Sequence, residues 1–398
     1  MNTDFTPNQT KAKQAKKVLA SALATLLCLA SAGCGVIEMR EADRDETQIA
    51  YEELLTPAAH SEDEDAPTET ESAPVFVLDP VEEEEEEISG ATFVFAGDML
   101  MDSYIITDAA KKAGDGQSYS FLRLFTGVYQ ELSSADLTTG FGSTVQRPRW
   151  DIDPTHVTPE EFLATLSEVG YDALDTLSWR DADGKLAGYD IADLSTALSY
   201  KDCIRYFEVN DITAALYAVG GQKHKIGAQK TFATITEASE NALLTVVLVD
   251  WDEDMTDADK CAAAYYMAEA GADVVIGTGT TLGAIDRLRT ERGSYTLVAY
   301  SLGDLLLTTA SKEELCGGIL RFKAEEEDGA LVLSDVTLTP TVTHIGQGKA
   351  DYQIFPLSAY NDDLATQNAA VSGLTAAGLV SYVRSVVPGE FLPKDIRG

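Results

Sequence analysis

Histidine is scarce. The chain of 398 residues has four, His60, His156, His224 and His344. None stands near another, and a lone histidine is more often a surface or hydrogen-bonded core residue than a ligand. Five cysteines, at 28, 34, 203, 261 and 316, form no Cys-x-x-Cys pair, which excludes a zinc-ribbon or thioredoxin reading. Positive charge is sparse as well: 29 Lys and Arg face 66 Asp and Glu, a formal net charge of −37. That balance excludes nucleic acid, polyphosphate or an anionic membrane surface held by general electrostatics. Ser178 and Ser301 lack a nucleophile-elbow sequence and a nominated base, so a Ser/His/Asp hydrolase is not supported. No internal repeat is present.

What is present begins with a targeting pattern. Lys11, Lys13, Lys16 and Lys17 precede the apolar run Val18–Ala32. A basic start, a short apolar stretch and small residues describe a secretory signal, and the run is short for a membrane span of roughly 20 residues. It ends Ser31-Ala32-Gly33-Cys34, which resembles a bacterial lipobox and makes Cys34 the expected lipidation site. Residues 1–33 are read as a lipoprotein signal and 34–90 as an acidic spacer. The spacer carries Glu62-Asp63-Glu64-Asp65, the run Glu82–Glu87 and four interspersed prolines. Such a segment buries too little apolar surface to offset its ordering entropy.

The rest alternates strand and helix patterns, which predicts an α/β layered fold. Three apolar runs, Leu243–Val249, Ala272–Ile276 and Tyr295–Tyr300, read as strands buried on both faces. Each ends in a polar or glycine-rich loop, where α/β proteins usually place their sites. Ala91–Ala96, Ala135–Thr139 and Tyr171–Leu177 are further predicted strands. Helices are predicted at Ser103–Gly114, Phe121–Leu132, Thr158–Val169, Asp190–Leu198, Asp257–Ala270 and Ala376–Val387. Thr158 is the expected N-cap of its helix with Pro159 at N1 and Glu161 at N3. Thr256 is the expected cap before Asp257 and Asp259. Cys203–Ala233 reads as mostly strand, and after Thr308 the pattern turns β-rich at Gly317–Lys323, Ala330–Pro340 and Tyr352–Pro356.

Five motifs carry a resemblance: Phe95-Ala96-Gly97-Asp98-Met99-Leu100, Ser134-Ala135-Asp136-Leu137-Thr138, Gly170-Tyr171-Asp172-Ala173-Leu174, Ala268–Gly277 and Tyr300-Ser301-Leu302-Gly303. Their order and spacing resemble the CapA family of capsule and poly-γ-glutamate synthesis proteins over about residues 91–310. The resemblance implies a metallophosphatase-like (calcineurin-like) fold, a four-layer α/β/β/α sandwich with mixed sheets, with residues 311–398 as a β-rich extension and final short helix. It also implies metal or catalytic positions at strand ends, filled by carboxylates, Asn and His. Here the histidines are replaced. The Asn-Leu-Glu position reads Phe141-Gly142-Ser143, and Asn-Asn-His reads Ser178-Trp179-Arg180. His-Trp-Gly reads Asp250-Trp251-Asp252, and the histidine-rich loop reads Gly277-Thr278-Gly279-Thr280-Thr281. Asp98 and Asp183 match, Asp254 stands where Glu is common, and Asp304 replaces the Asn after Ser-Leu-Gly.

Asp98, Asp183, Asp250 and Asp254 are thus the candidate metal ligands, and Arg180 and Asp304 the candidate binding residues. Asp250, Asp252 and Asp254 begin like a calcium loop, but Met255 and Cys261 break the EF-hand pattern. Arg180 is expected near Asp98 or Asp250, balancing charge in place of a metal. Gly277–Thr281 reads as a tight turn; it could cradle an anion but lacks the lysine of a P-loop. The expectation is a lipid-anchored, non-catalytic CapA-like subunit that needs no cofactor. It would meet a cell-surface polymer or membrane proteins of polymer synthesis. The alternatives are a residual hydrolase using Mg²⁺, Mn²⁺ or Ca²⁺ on those carboxylates, and a solute-binding lipoprotein with two similar lobes. Plain secretion or an uncleaved anchor are the alternatives, and labelling with a radioactive fatty acid separates them: the wild-type chain is expected to take up label that Cys34→Ala does not, and an unlabelled wild-type chain removes the lipid-anchor reading.

Overall fold

Strand ends in this fold are placed by a clasp that recurs three times. An aspartate just before a strand donates its N–H to the carbonyl of a threonine on the neighbouring strand, and its carboxylate accepts that threonine's N–H. Asp136 and Thr92 are joined at 3.0 and 2.8 Å, Asp172 and Thr138 at 2.9 and 2.7 Å, and Asp273 and Thr245 at 2.9 and 2.8 Å. The aspartates are the ones in Ser-Ala-Asp-Leu, Tyr-Asp-Ala-Leu and Gly-Ala-Asp-Val. Each clasp satisfies a donor and an acceptor at a sheet entrance, where an unpaired buried group would be costly.

The structure, a computed structural model, describes residues 90–145, 157–176, 186, 188–194, 200, 203–220, 224–308 and 311–398. The signal, Cys34 and the acidic spacer lie outside the described residues. In chain order the first elements are β1 (Ala91–Met99), α1 (Ser103–Lys111), α2 (Leu122–Phe125), α3 (Tyr129–Ser133), β2 (Leu137–Gly142), α4 (Glu160–Glu168), β3 (Ala173–Thr176) and β4 (Ala192–Asp193). Next are β5 (Ile204–Val209), β6 (Ile212–Gly220), α5 (Gln229–Asn241), β7 (Leu244–Asp250), α6 (Asp257–Ala270), β8 (Val274–Gly277), β9 (Ile285–Arg289), β10 (Tyr295–Ala299) and β11 (Asp304–Leu306). The last are β12 (Cys316–Glu327), β13 (Ala330–Gly346), β14 (Ala350–Pro356), α7 (Asp362–Gln367), α8 (Ala376–Val386) and α9 (Lys394–Arg397).

The strands form two mixed sheets. The first runs β14-β13-β12-β1-β2-β3-β4, with β11 added beside β1; the second runs β5-β6-β7-β8-β10-β9. Side-chain alternation explains the layers. Leu216, Ala218, Val246, Leu248, Val274, Ile276, Leu297 and Ala299 join the core shared with the first sheet. Their neighbours Tyr217, Val219, Val247, Val249, Val275 and Val298 pack instead with Ile235 of α5 and with Ala264 and Met267 of α6. Both faces of the second sheet are thus buried, as the unbroken apolar runs imply. Phe121, Phe125 and Phe162 bring α2 and α4 onto the core of the first sheet. The result is the helix–sheet–sheet–helix order of the four-layer class.

Several elements differ from the sequence reading. Phe121–Leu132 is broken into α2 and α3, with Gly127 between them packed on Ile354 of β14. Helix α4 starts one residue later than expected: Pro159 is the N-cap at φ −61°, ψ 144°, and Thr158 lies before it. Of the helix expected over Asp190–Leu198, the described residues 190–194 instead give β4 at 192–193, paired parallel to β3, and 195–198 lie outside the described residues. The strand reading to Ala233 ends at Gly220, and α5 begins at Gln229. Helix α6 follows expectation: Thr256 and Asp259 form a reciprocal capping box, and Gly271 ends it at φ 113°. Among the described residues no helix is long and apolar enough to cross a membrane, and no disulfide joins Cys203, Cys261 and Cys316.

Removing one clasp tests this account. Asp273→Ala leaves the fully buried Thr245 N–H without its carboxylate partner, and should cost about 1–3 kcal/mol in denaturant-induced unfolding. A loss well below 1 kcal/mol would mean that the carboxylate contributes little.

Candidate functional site

Near its carboxyl end β1 changes neighbour. Antiparallel pairing with β12 stops at Ala96↔Ile319, and parallel pairing with β11 begins at Asp98↔Asp304. On the other side Asp98 is the register partner of Phe141 in β2, and Phe141 that of Asp175 in β3. Asp304, Asp98 and Asp175 therefore lie on one level across four adjacent strands, and Asp193 of β4 adjoins Asp175. Asp250, closing β7 in the opposite sheet, is near enough for its charge to raise the pKa of both Asp98 and Asp175. Five aspartates thus share the strand ends.

Glycines permit this approach. A Cβ on Gly97 would come within 2.9 Å of the Leu302 carbonyl oxygen and nearer still to that of Gly303; Gly303 itself sits at φ +63°. The sequence places a Gly-Asp pair on each strand, and the N–H of Asp98 donates to the Gly303 carbonyl at 3.0 Å.

The carboxylates differ in their partners. Asp98 Oδ1 accepts the Ser143 N–H at 2.9 Å, and Oδ2 accepts the Ser143 hydroxyl. Burial raises the Asp98 pKa, and the Ser143 hydrogen bonds oppose that rise. Asp304 is 4% exposed, and no hydrogen bond reaches its carboxyl from the described residues. Burial first, then the charges of Asp98 and Glu314, push it up to about 8. Asp175, whose carboxyl likewise receives no hydrogen bond from the described residues, is raised well above the usual range by burial and then by Asp193, Asp250 and Asp98. Asp250 is solvent-exposed as a residue, yet partial burial of its carboxyl raises it, against the hydrogen bond from Thr278 Oγ1 at 3.1 Å.

The loops around these acids are tied to each other. Trp251 donates its indole N–H to the Tyr300 carbonyl at 2.8 Å, and the Leu302 N–H reaches the Gly277 carbonyl at 3.3 Å. Ser301 Oγ donates to the Thr281 carbonyl at 2.7 Å and accepts from the Gly303 N–H at 3.0 Å. The Gly277–Thr281 loop is thus a packed turn, and the Thr278 N–H that would start an anion cradle is bonded to Val249.

Of the residues singled out from sequence, the structure brings together Asp98, Asp250 and Asp304. Asp254 is exposed in the loop before α6. Arg180 and Asp183 lie outside the described residues. The reading missed Asp175, Asp193 and the clamping role of Ser143. Asp175 could have been flagged as a carboxylate inside the apolar strand Tyr171–Leu177; Asp193 was hidden in an apparent helix.

The residues present do not fit the metal centre that the resemblance implies. Among the described residues no group of three or more His, Cys, Asp or Glu is placed to hold an ion. Both oxygens of Asp98 accept a hydrogen bond from Ser143. His224 is engaged with Tyr217 at 2.9 Å and stacked on Tyr200, and His344 with Tyr360 at 3.1 Å. No catalytic step is therefore routed through a metal.

No family model matches the sequence, and no curated protein matches it. Among solved structures, the chain is similar to a hypothetical protein from Thermus thermophilus, at 16% identity and TM-score 0.39, covering 63% of this chain and 99% of the other. It is similar to the calcineurin-like phosphoesterase YfkN from Bacillus subtilis at 11% identity and TM-score 0.36, covering 75% and 96%. It is also similar to the sulfate thiohydrolase SoxB from Thermus thermophilus in complex with glycerol, at 11% identity and TM-score 0.36, covering 75% and 60%.

Ser143 contributes most to favouring an ionised Asp98, and the Met99 N–H adds to it. Ser143→Ala should raise the Asp98 pKa, read by carboxyl-carbon NMR titration; an unmoved titration would mean that the hydroxyl bond is not formed in solution.

Proposed function

We propose that this chain is a CapA-like extracytoplasmic protein that binds or scaffolds without catalysing, in the synthesis, export or anchoring of a capsule or poly-γ-glutamate polymer. The observation that carries this reading is the strand-end site itself. It keeps acidic residues where the resemblance expects chemistry, but its described carboxylates form no ligand group and the one at the β1 end is hydrogen-bonded to Ser143. The signal-like start and acidic spacer support a display position outside the cytoplasm, with Cys34 as the lipid-bearing residue.

A net charge of −37 repels a polyanion broadly, so polymer contact must be local or bridged by divalent cations. Lys225 and Lys230 are exposed at the approach to α5, with Lys230 Nζ 4.3 Å from the centre of the Tyr200 ring; Lys223 and Arg180 lie outside the described residues.

The full chain should show no phosphodiesterase or peptidase turnover with Mg²⁺, Mn²⁺ or Ca²⁺, and should retain poly-γ-glutamate in a salt-sensitive manner that Lys225→Glu with Lys230→Glu weakens several-fold. Turnover that Asp98→Ala abolishes would replace this reading with that of a residual hydrolase. Failure to retain any polymer in the presence or absence of divalent cations would remove polymer binding.

A further inference from the structure

We propose that β9 and the carboxyl-terminal turns packed beside it form a docking surface for an extended, carboxylate-rich segment of a partner protein. Helix α5 and its lysines pack on β6 and β7, toward the other end of the sheet, so the inference does not depend on polymer binding there. It begins with a local reversal of charge. The chain carries 29 Lys and Arg against 66 Asp and Glu. Over 285–289 and 384–397 the balance is five to three: Arg287, Arg289, Arg384, Lys394 and Arg397 against Asp286, Glu390 and Asp395. All five cations are exposed. None enters the ion pairs found among the described residues, which join Lys112, Arg123 and Lys323 to acids elsewhere.

Contacts join these groups into one band. β9 is the last strand of its sheet. Ile285 turns into the core shared with the first sheet, and Leu288 into the core under the helices. Alternation therefore puts Arg287 and Arg289 on the Ile285 face and Asp286 on the other. The Arg287 guanidinium lies 5.4 Å from the centre of the Phe391 ring, and that of Arg289 lies 6.0 Å from the centre of the Tyr295 ring. Around Phe391, Arg397 Nη2 donates to the carbonyls of Glu390 and Leu392 at 3.1 Å each, and Arg384 Nε donates to the Ile396 carbonyl.

The chemistry of the band selects its occupant. A guanidinium lying over a ring keeps its in-plane N–H groups for a carboxylate, which it can grip with two bonds. Residues two apart on a strand are about 6.6 Å apart, so Arg287 and Arg289 repeat at the spacing of alternate carboxylates on another extended chain. Tyr295 beside them is 58% exposed, and Arg and Tyr are the residues enriched where proteins meet. The partner meets side chains rather than lengthening the ladder. Arg287 N–H donates to Asp286 Oδ1 at 2.8 Å, and just beyond the strand Glu291 N–H donates to Glu269 Oε1 at 2.6 Å, so this edge is already capped. The net charge of −37 opposes an acidic partner at long range. At about 0.15 M salt, exposed charges more than ~8 Å away are largely screened, and the local guanidiniums decide.

The test uses the full chain and a short fluorescent peptide of alternating Glu and Thr, followed by anisotropy at about 0.15 M salt. The wild-type chain should bind the peptide saturably. Arg287→Glu with Arg289→Glu should weaken binding about tenfold or more, because like charges then face each other. Lys111→Glu with Lys349→Glu makes the same change of net charge at exposed sites on α1 and in the β13–β14 turn, and should leave binding unchanged. Absence of binding to the wild-type chain, or equal weakening by the two variants, would overturn the inference. Retention of dextran sulfate with none of the peptide would overturn it in favour of a polysaccharide. Should the arginine variant not fold, a photo-cross-linking form of the peptide decides on the wild-type chain. Attachment within 285–295 or 384–397 is the expected result; attachment elsewhere overturns it.

Discussion

The Asp–Thr clasps are the constraint on which the rest of the molecule depends. Each fixes where one parallel strand begins relative to its neighbour, and the pleat then dictates which residues face each side further along. From Thr92 and Asp136 the chain runs on to Asp98 and Phe141, and from Thr138 and Asp172 to Phe141 and Asp175. A register irregularity between Ala96 and Asp98 absorbs the difference in length. The level at which the acids meet is therefore set at the far end of the sheet. Asp273 shows that the device carries its own tension, since burial pushes its carboxyl up to about 6 while the Thr245 N–H draws it back.

The second constraint is the demand of two buried sheets for close backbone approach at their exits. Gly97, Gly277 and Gly303 all stand where a Cβ would strike backbone or the Trp251 indole. Once such glycines are required, the polar residues beside them are carried into a confined space whatever their chemistry. That confinement sets carboxyls against one another, and their charge has to be settled locally. Here serine and threonine hydroxyls settle part of it, and the rest remains as conflict among carboxyls. That is compatible with folding because the surrounding apolar layers are extensive, and local strain of this kind persists only where the structure around it is over-determined.

Much of this was legible beforehand. The unbroken Val- and Ile-rich runs disclosed β7, β8 and β10, because strands covered on both faces have no polar alternation to hide them. Capping chemistry disclosed α6. Short elements were not legible: β4 has two residues, β11 three, and both exist only because a neighbouring strand offers hydrogen bonds. The position of Asp304 beside Asp98 depends on β11, so no local pattern could reveal their pairing. The motifs Ser-Ala-Asp-Leu and Gly-Ala-Asp-Val could be picked out without disclosing that their aspartates fasten strands.

Asp108 does comparable work on the outer margin of the first sheet. Its carboxylate accepts the N–H groups of Asp351 and Tyr352 on β14, at 3.1 and 3.3 Å, while Lys112 bridges Asp108 and Asp351 at 2.8 Å to each. Those donors are the ones a passing strand from another molecule would seek. With them satisfied from within, β14 offers fewer free donors to the strand of a neighbouring copy along this margin.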